Sequence, residues 1–144
     1  MTEKEVWDFL KEGKGKKKLL RELIVQLQQL EADENCIKAI DYEKPSVSGG
    51  TTSDLSDAVI RSEAARERVK RSIVEMQAEI DAWKEQAISM IRVCRNDMQR
   101  GILTAKFLNG KSWRKIQEEY HYSESQPYAI CRIAITEIAR NYRR

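Results

Sequence analysis

The chain has 144 residues, 41% hydrophobic and 34% charged, with a formal net charge of +3, two prolines and six glycines. That length allows one modest domain or a small domain with an extension, and so few turn residues argue against a β-rich fold, leaving an all-α chain of solvent-washed helices. Cys36, Cys94 and Cys131 form no CxxC pair and His121 is the single histidine, which argues against a disulfide framework, a metal site or a cofactor and for reduced thiols in a cytoplasmic protein.

The first fifteen residues carry Glu3, Glu5, Asp8 and Glu12 and lack an apolar stretch, so no signal peptide is expected. No run of about 18 apolar residues occurs, so no membrane span is expected either. Residues 2–12 predict a short helix with Val6, Trp7 and Leu10 on one side, weakened and interrupted by Gly13 and Gly15. Lys11, Lys14, Lys16, Lys17 and Lys18 form a basic cluster. It fits a solvated helix start better than a nucleic-acid contact.

A helix is expected from Lys17 to Tyr42. Leu20, Leu23, Leu27 and Leu30 keep a 3-4-3 spacing, Glu34 breaks the phase and Ile37 resumes it. Pro45 and the run PSVSGGTTS at 45–53 predict a flexible connector. Ser53 suits the N-cap of the next helix, with Asp54 and Asp57 favourable in its first turn. That helix is expected from Asp54 to Cys94. Within it Val69, Ile73, Met76, Ile80, Trp83, Ala87, Met90 and Cys94 repeat at 4-3-4-3-4-3-4, an apolar seam that calls for a facing helix. The first long helix, shorter by about 14 residues, covers the second only in part if they pair as a hairpin. A homo-oligomer, most simply a dimer joined along Val69, Ile73, Met76, Ile80, Trp83 and Met90, is therefore expected. The competing reading is a monomeric hairpin that packs on the C-terminal part. Cys36 and Cys94 read as small apolar fillers.

The last third reads as three helices and two turns. The first runs from Asp97 to Asn109 with Leu103, Phe107 and Leu108 inward, and Asn109-Gly110 stops it. Ser112 caps a second helix, Trp113 to Tyr120, whose Trp113, Ile116 and Tyr120 share a face. Ser123 or Ser125 caps a third, spanning 124–142, with Ile130, Ala134, Ile135 and Ile138 as its buried stripe. The chain thus divides into a helical coiled-coil region, 1–96, and a helix-turn-helix domain, 97–144. Residues 97–144 hold 9 Lys+Arg and 5 Asp+Glu, whereas 1–50 and 51–96 have no positive excess. A phosphate-binding surface needs such a local excess.

In a helix-turn-helix the third helix enters the major groove. Ser125, Gln126, Tyr128, Ala129 and Arg132 are the expected base-reading residues, since Gln pairs with adenine, Arg with guanine, and Ala or Tyr touches a thymine methyl. Lys111, Ser112, Arg114, Lys115 and Ser123 are the expected phosphate contacts. The lone His121, the absence of a Gly-rich phosphate loop and carboxylates spread evenly over helix surfaces offer no catalytic constellation, so an enzyme is not expected.

Gly110, Lys111, Ser112, Trp113, Ile116, Tyr122, Ser123 and Ser125 carry a resemblance. The stretch GKSWRKIQEEYHYSESQPYAICRIAITEIA resembles sigma-factor region 4, and the whole layout resembles the RinA/ArpU-type late-gene regulators of phages and prophages. The resemblance covers about 40 residues closely and the rest in layout only. It implies a sequence-specific transcriptional regulator that binds double-stranded DNA in a bacterial host cell, and contact with host RNA polymerase. Two positions depart from the pattern. Gln117 replaces a small Ala, and Pro127 replaces an aliphatic residue. Pro127 is harmless in the first helical turn if Ser125 is the cap and distorts the helix start if Ser123 is. The alternative readings are a helical adaptor or polymerase-binding module without DNA binding, and a small terminase subunit in DNA packaging.

Overall fold

The computed structural model describes the backbone of residues 1–43 and 51–143 and the side chains of 1–37 and 56–143. The described residues are all-α: α1 (Glu3–Glu43), α2 (Thr51–Ile91), α3 (Asp97–Leu103), α4 (Trp113–Tyr120) and α5 (Gln126–Asn141). No described helix is long and apolar enough to cross a membrane. The expected connector lies largely outside the described residues, and α2 starts at Thr51, ahead of the expected Ser53 cap.

α1 opens on a reciprocal cap. The Glu5 N–H donates to Thr2 Oγ1 at 3.2 Å, and the Thr2 N–H donates to Glu5 Oε2 at 3.1 Å, so two donors that helix geometry leaves open are satisfied. The expected interruption at Gly13 and Gly15 does not occur, and α1 is one helix of 41 residues. α2 also has 41 residues, so the length mismatch that called for a second copy of the chain does not exist.

Gly13 serves packing. A Cβ built on it would fall within the Trp83 indole, while one on Gly15 would meet nothing within 4 Å. Trp83 is buried, and its Nε1–H donates to the Phe9 carbonyl at 2.8 Å, which meets the need of a buried indole for a partner. Farther along, Lys17 Nζ donates to the Leu108 carbonyl at 2.6 Å.

The chain forms two compact units, Met1–Lys17 with Glu79–Arg144, and Lys18–Ala78. The unit that holds 97–144 therefore also takes in both ends of the region expected to be separate. Its core joins Val6 and Leu10 of α1, Trp83, Ala87 and Met90 of α2, and Ile102, Ile116, Ile135 and Ile138 of the last three helices. Val69, Ile80, Trp83 and Met90, four of the six residues of the expected oligomer seam, are buried within one chain. Cys94 and Cys131 are buried here too. Desolvation pushes their thiols up to about 11 and about 12, with Glu137 adding to the rise at Cys94 and Lys106 opposing it at Cys131, so both stay protonated and inert.

In the Lys18–Ala78 unit, Leu20, Leu23, Leu27 and Leu30 are half-buried, as are Ile73 and Met76, and Val69 is buried. Glu34 does not break the phase. It is 2% exposed, and its Oε2 accepts from Arg66 Nη1 at 2.7 Å. Glu34 follows Leu30 by four residues and Arg66 precedes Val69 by three, so both occupy seam positions as an ion pair. Cys36, expected as a filler, is exposed.

The two glycines of α1 separate packing from propensity. Gly13→Ala should lower stability by about 1–3 kcal/mol, because the new methyl forces the buried indole aside. Gly15→Ala should raise it by about 0.5–1 kcal/mol through helix propensity alone. Urea midpoints of the two variants against the parent check the opposite signs, and a stabilised Gly13→Ala would contradict the packing.

Candidate functional site

The last three helices are delimited by their own side chains. Asn96 Oδ1 accepts from the N–H groups of Met98, at 2.8 Å, and Gln99, at 3.4 Å, and so starts α3. α3 is shorter than the expected 97–109 helix. From Thr104 to Leu108 the chain widens into a π-turn, closed by the Asn109 N–H on the Thr104 carbonyl at 2.9 Å. Gly110 then adopts φ +67°, a left-handed conformation that suits glycine. Ser112 caps α4 as expected, its Oγ accepting from the Lys115 N–H at 3.2 Å.

α4 and α5 are joined by residues 121–125. His121 ends α4 in the left-handed conformation, φ 56°. The Tyr122 N–H donates to the Gln117 carbonyl at 3.0 Å, and Gln117 Nε2 donates to the Glu124 carbonyl at 2.7 Å. Gln117 therefore spans the turn, which a small residue could not do. Ser125 occupies the N-cap position without a side-chain cap bond, and Pro127 falls in the first turn of α5, where its missing N–H costs nothing. The turn is held instead by Gln126, whose Oε1 accepts from the Ser123 N–H at 3.0 Å and lies 3.2 Å from Ser123 Oγ.

α5 buries Pro127, Cys131, Ala134, Ile135 and Ile138. Ile130, expected in this stripe, is half-buried, and Cys131, at helical spacing from Ala134 and Ile135, stands in it instead. Gln126, Ala129, Ile133 and Arg140 follow at helical spacing on the opposite face, and all are exposed. Ile133 is 61% exposed. It is not among the expected reading residues, although its offset from the buried stripe signals an outward isoleucine.

The expected base-reading residues Ser125, Gln126, Tyr128, Ala129 and Arg132 are all exposed, yet they are not equivalent. Gln126 has its oxygen engaged in the turn, so only its amide N–H groups are available outward. The Tyr128 ring stacks on Trp7, centroids 5.9 Å apart, and meets Trp113 edge-on at 5.7 Å. Trp7 in turn packs edge-on against Phe107 at 5.7 Å. The Thr136 hydroxyl is 3.0 Å from both Glu3 Oε1 and the Arg132 carbonyl. The start of α1 thus lies along the Tyr128–Thr136 side of α5, leaving the Gln126–Ala129–Ile133 stripe outermost.

Of the expected phosphate contacts, Ser112, Arg114, Lys115 and Ser123 are exposed. Lys111 is half-buried and its Nζ is 2.7 Å from Glu119 Oε2, so part of its charge is compensated. Arg114 meets Glu118 at 3.7 Å with both side chains largely exposed, a pair that holds neither in place. No group of three or more His, Cys, Asp or Glu that could hold a metal occurs among the described residues. No family model, no curated protein and no solved structure matches the chain.

Proposed function

We propose that the chain is a sequence-specific DNA-binding transcriptional regulator of phage or prophage genes, with α5 entering the major groove. The observation that carries this reading is the outer stripe of α5. Gln126 N–H donors, the Ala129 methyl, the Ile133 side chain and the neighbouring Arg132 guanidinium stand clear of the core on a helix stiffened by the α4–α5 turn. An exposed isoleucine is unfavourable in water and complements a thymine methyl, while Arg suits the N7 and O6 acceptors of guanine. The positive excess of residues 97–144 supplies the sequence-independent attraction, with Lys115 and Arg114 at the start of α4 beside the capping Ser112.

Self-association belongs to the same proposal, but in the Lys18–Ala78 unit. Val25, Ile60 and Val74 are 62%, 59% and 69% exposed, and a second copy seated on them would remove that apolar surface from water. Val74→Asp should lower the mass found by sedimentation equilibrium. An unchanged mass, or a monomeric parent, would contradict this interface.

Selection from a random duplex library tests the reading of α5. A single enriched motif is expected. On that motif Ile133→Ala and Arg132→Ala should each weaken binding about tenfold more than on random DNA, as a lost base contact would. Failure to enrich any motif, or equal losses on both DNAs, would overturn base reading by α5.

A further inference from the structure

A cleft of about 710 Å³ lies among the start of α1, the π-turn after α3, α4 and the Tyr128–Arg132 side of α5. Five cations line it, Lys4, Lys11, Lys14, Lys106 and Arg132, against two carboxylates, Glu3 and Asp8. Glu3 already meets the Thr136 hydroxyl. Among the described residues none of the five cations is in an ion pair, unlike Lys111 or Arg66 of the same chain.

Convergence, more than number, marks this cleft. Lys4, Lys11 and Lys14 share one face of α1 with Trp7, and that face meets Lys106 and Arg132 from far along the sequence. Two of the ammonium groups are placed by rings. Lys106 Nζ is 4.6 Å from the Trp113 ring centroid, and Lys11 Nζ is 5.0 Å from that of Trp7, a contact that orients a cation without neutralising it. Burial lowers the Lys106 pKa from its ordinary value, and the charges of Lys14 and Lys11 lower it further. Like charges held this close destabilise the empty cleft and favour an anion that bridges them.

We propose that the four lysines of this cleft hold a backbone phosphate of the duplex that α5 faces, with Arg132 at the cleft edge left to the bases, so that the first turns of α1 are part of the DNA interface. This inference rests on the DNA-binding reading of α5. A duplex phosphate is the fitting anion because the cleft shares Tyr128 and Arg132 with α5, and phosphate rows flank any helix seated in the major groove. Lys11 and Lys14 of the lysine cluster near the start of the chain then have a partner, where the sequence favoured a solvated helix start.

The test is the salt dependence of binding to the selected duplex, read by fluorescence anisotropy. Lys11 and Lys14 are exposed, so Lys11→Gln with Lys14→Gln should keep the fold, checked by an unchanged thermal midpoint. Loosening the hold on that one phosphate should flatten the slope of log K against log salt by up to about 0.9. A control pair of equal charge loss outside the cleft, Arg68→Gln with Arg71→Gln, should leave the slope unchanged. A parental slope in the cleft variant, or equal flattening in both pairs, would overturn the cleft while leaving the reading of α5 intact. A parent that binds no duplex at any salt would overturn that reading and the duplex as occupant together. Saturable quenching of tryptophan fluorescence by pyrophosphate in such a parent would then assign the cleft to a free phosphate instead.

Discussion

The Trp83 indole sits where Gly13 has no side chain, and its N–H donates to the Phe9 carbonyl. The site on α5 depends on this contact. An indole removes about 150–250 Å² from water when buried, and Trp83 can be buried against α1 only if one residue there lacks a Cβ. Once the indole is seated, the first turns of α1 are fixed in the core beside Met90, Ile102 and Ile135. Trp7 then reaches Phe107 and Tyr128, and Glu3 reaches Thr136. The C-terminal helices are therefore completed by a segment about a hundred residues away in sequence.

That completion changes which groups of α5 can act outward. Tyr128 and the Gln126 oxygen are committed to holding the unit together, and Lys111 shares its charge with Glu119. Ala129, Ile133, Arg132 and Lys115 have no such structural duty beyond lining the surface. The division follows from simple chemistry: a polar atom that satisfies a turn is costly to withdraw, whereas an exposed methyl gains when it is covered.

Much of the fold was legible in the sequence. Ser112 and the stripe from Ala134 to Ile138 define α4 and α5 by capping and periodicity, which are local properties. The continuity of α1 was not legible, because Gly13 carries an unfavourable local propensity that tertiary packing on Trp83 overrides. Glu34 misled for a similar reason: a charge at a seam position reads as a break until its partner Arg66 is known. The seam from Ile80 to Met90 was visible as a seam, but its partner was not. Periodicity shows that a face is covered and says nothing of what covers it. Within the candidate site, exposure followed from helical phase, while the commitment of Gln126 and Tyr128 depended on contacts across the turn and with α1.

The proposed interface with DNA is the outer stripe of α5 together with the start of α4. Backbone amide chemical shifts followed during titration with the selected duplex test it most directly. The largest changes are expected at Ser112–Lys115 and Ser125–Ile133, with the amides of Ala134–Ile138 little moved. Changes confined to residues 18–78, or none at all on saturation with duplex, would contradict it.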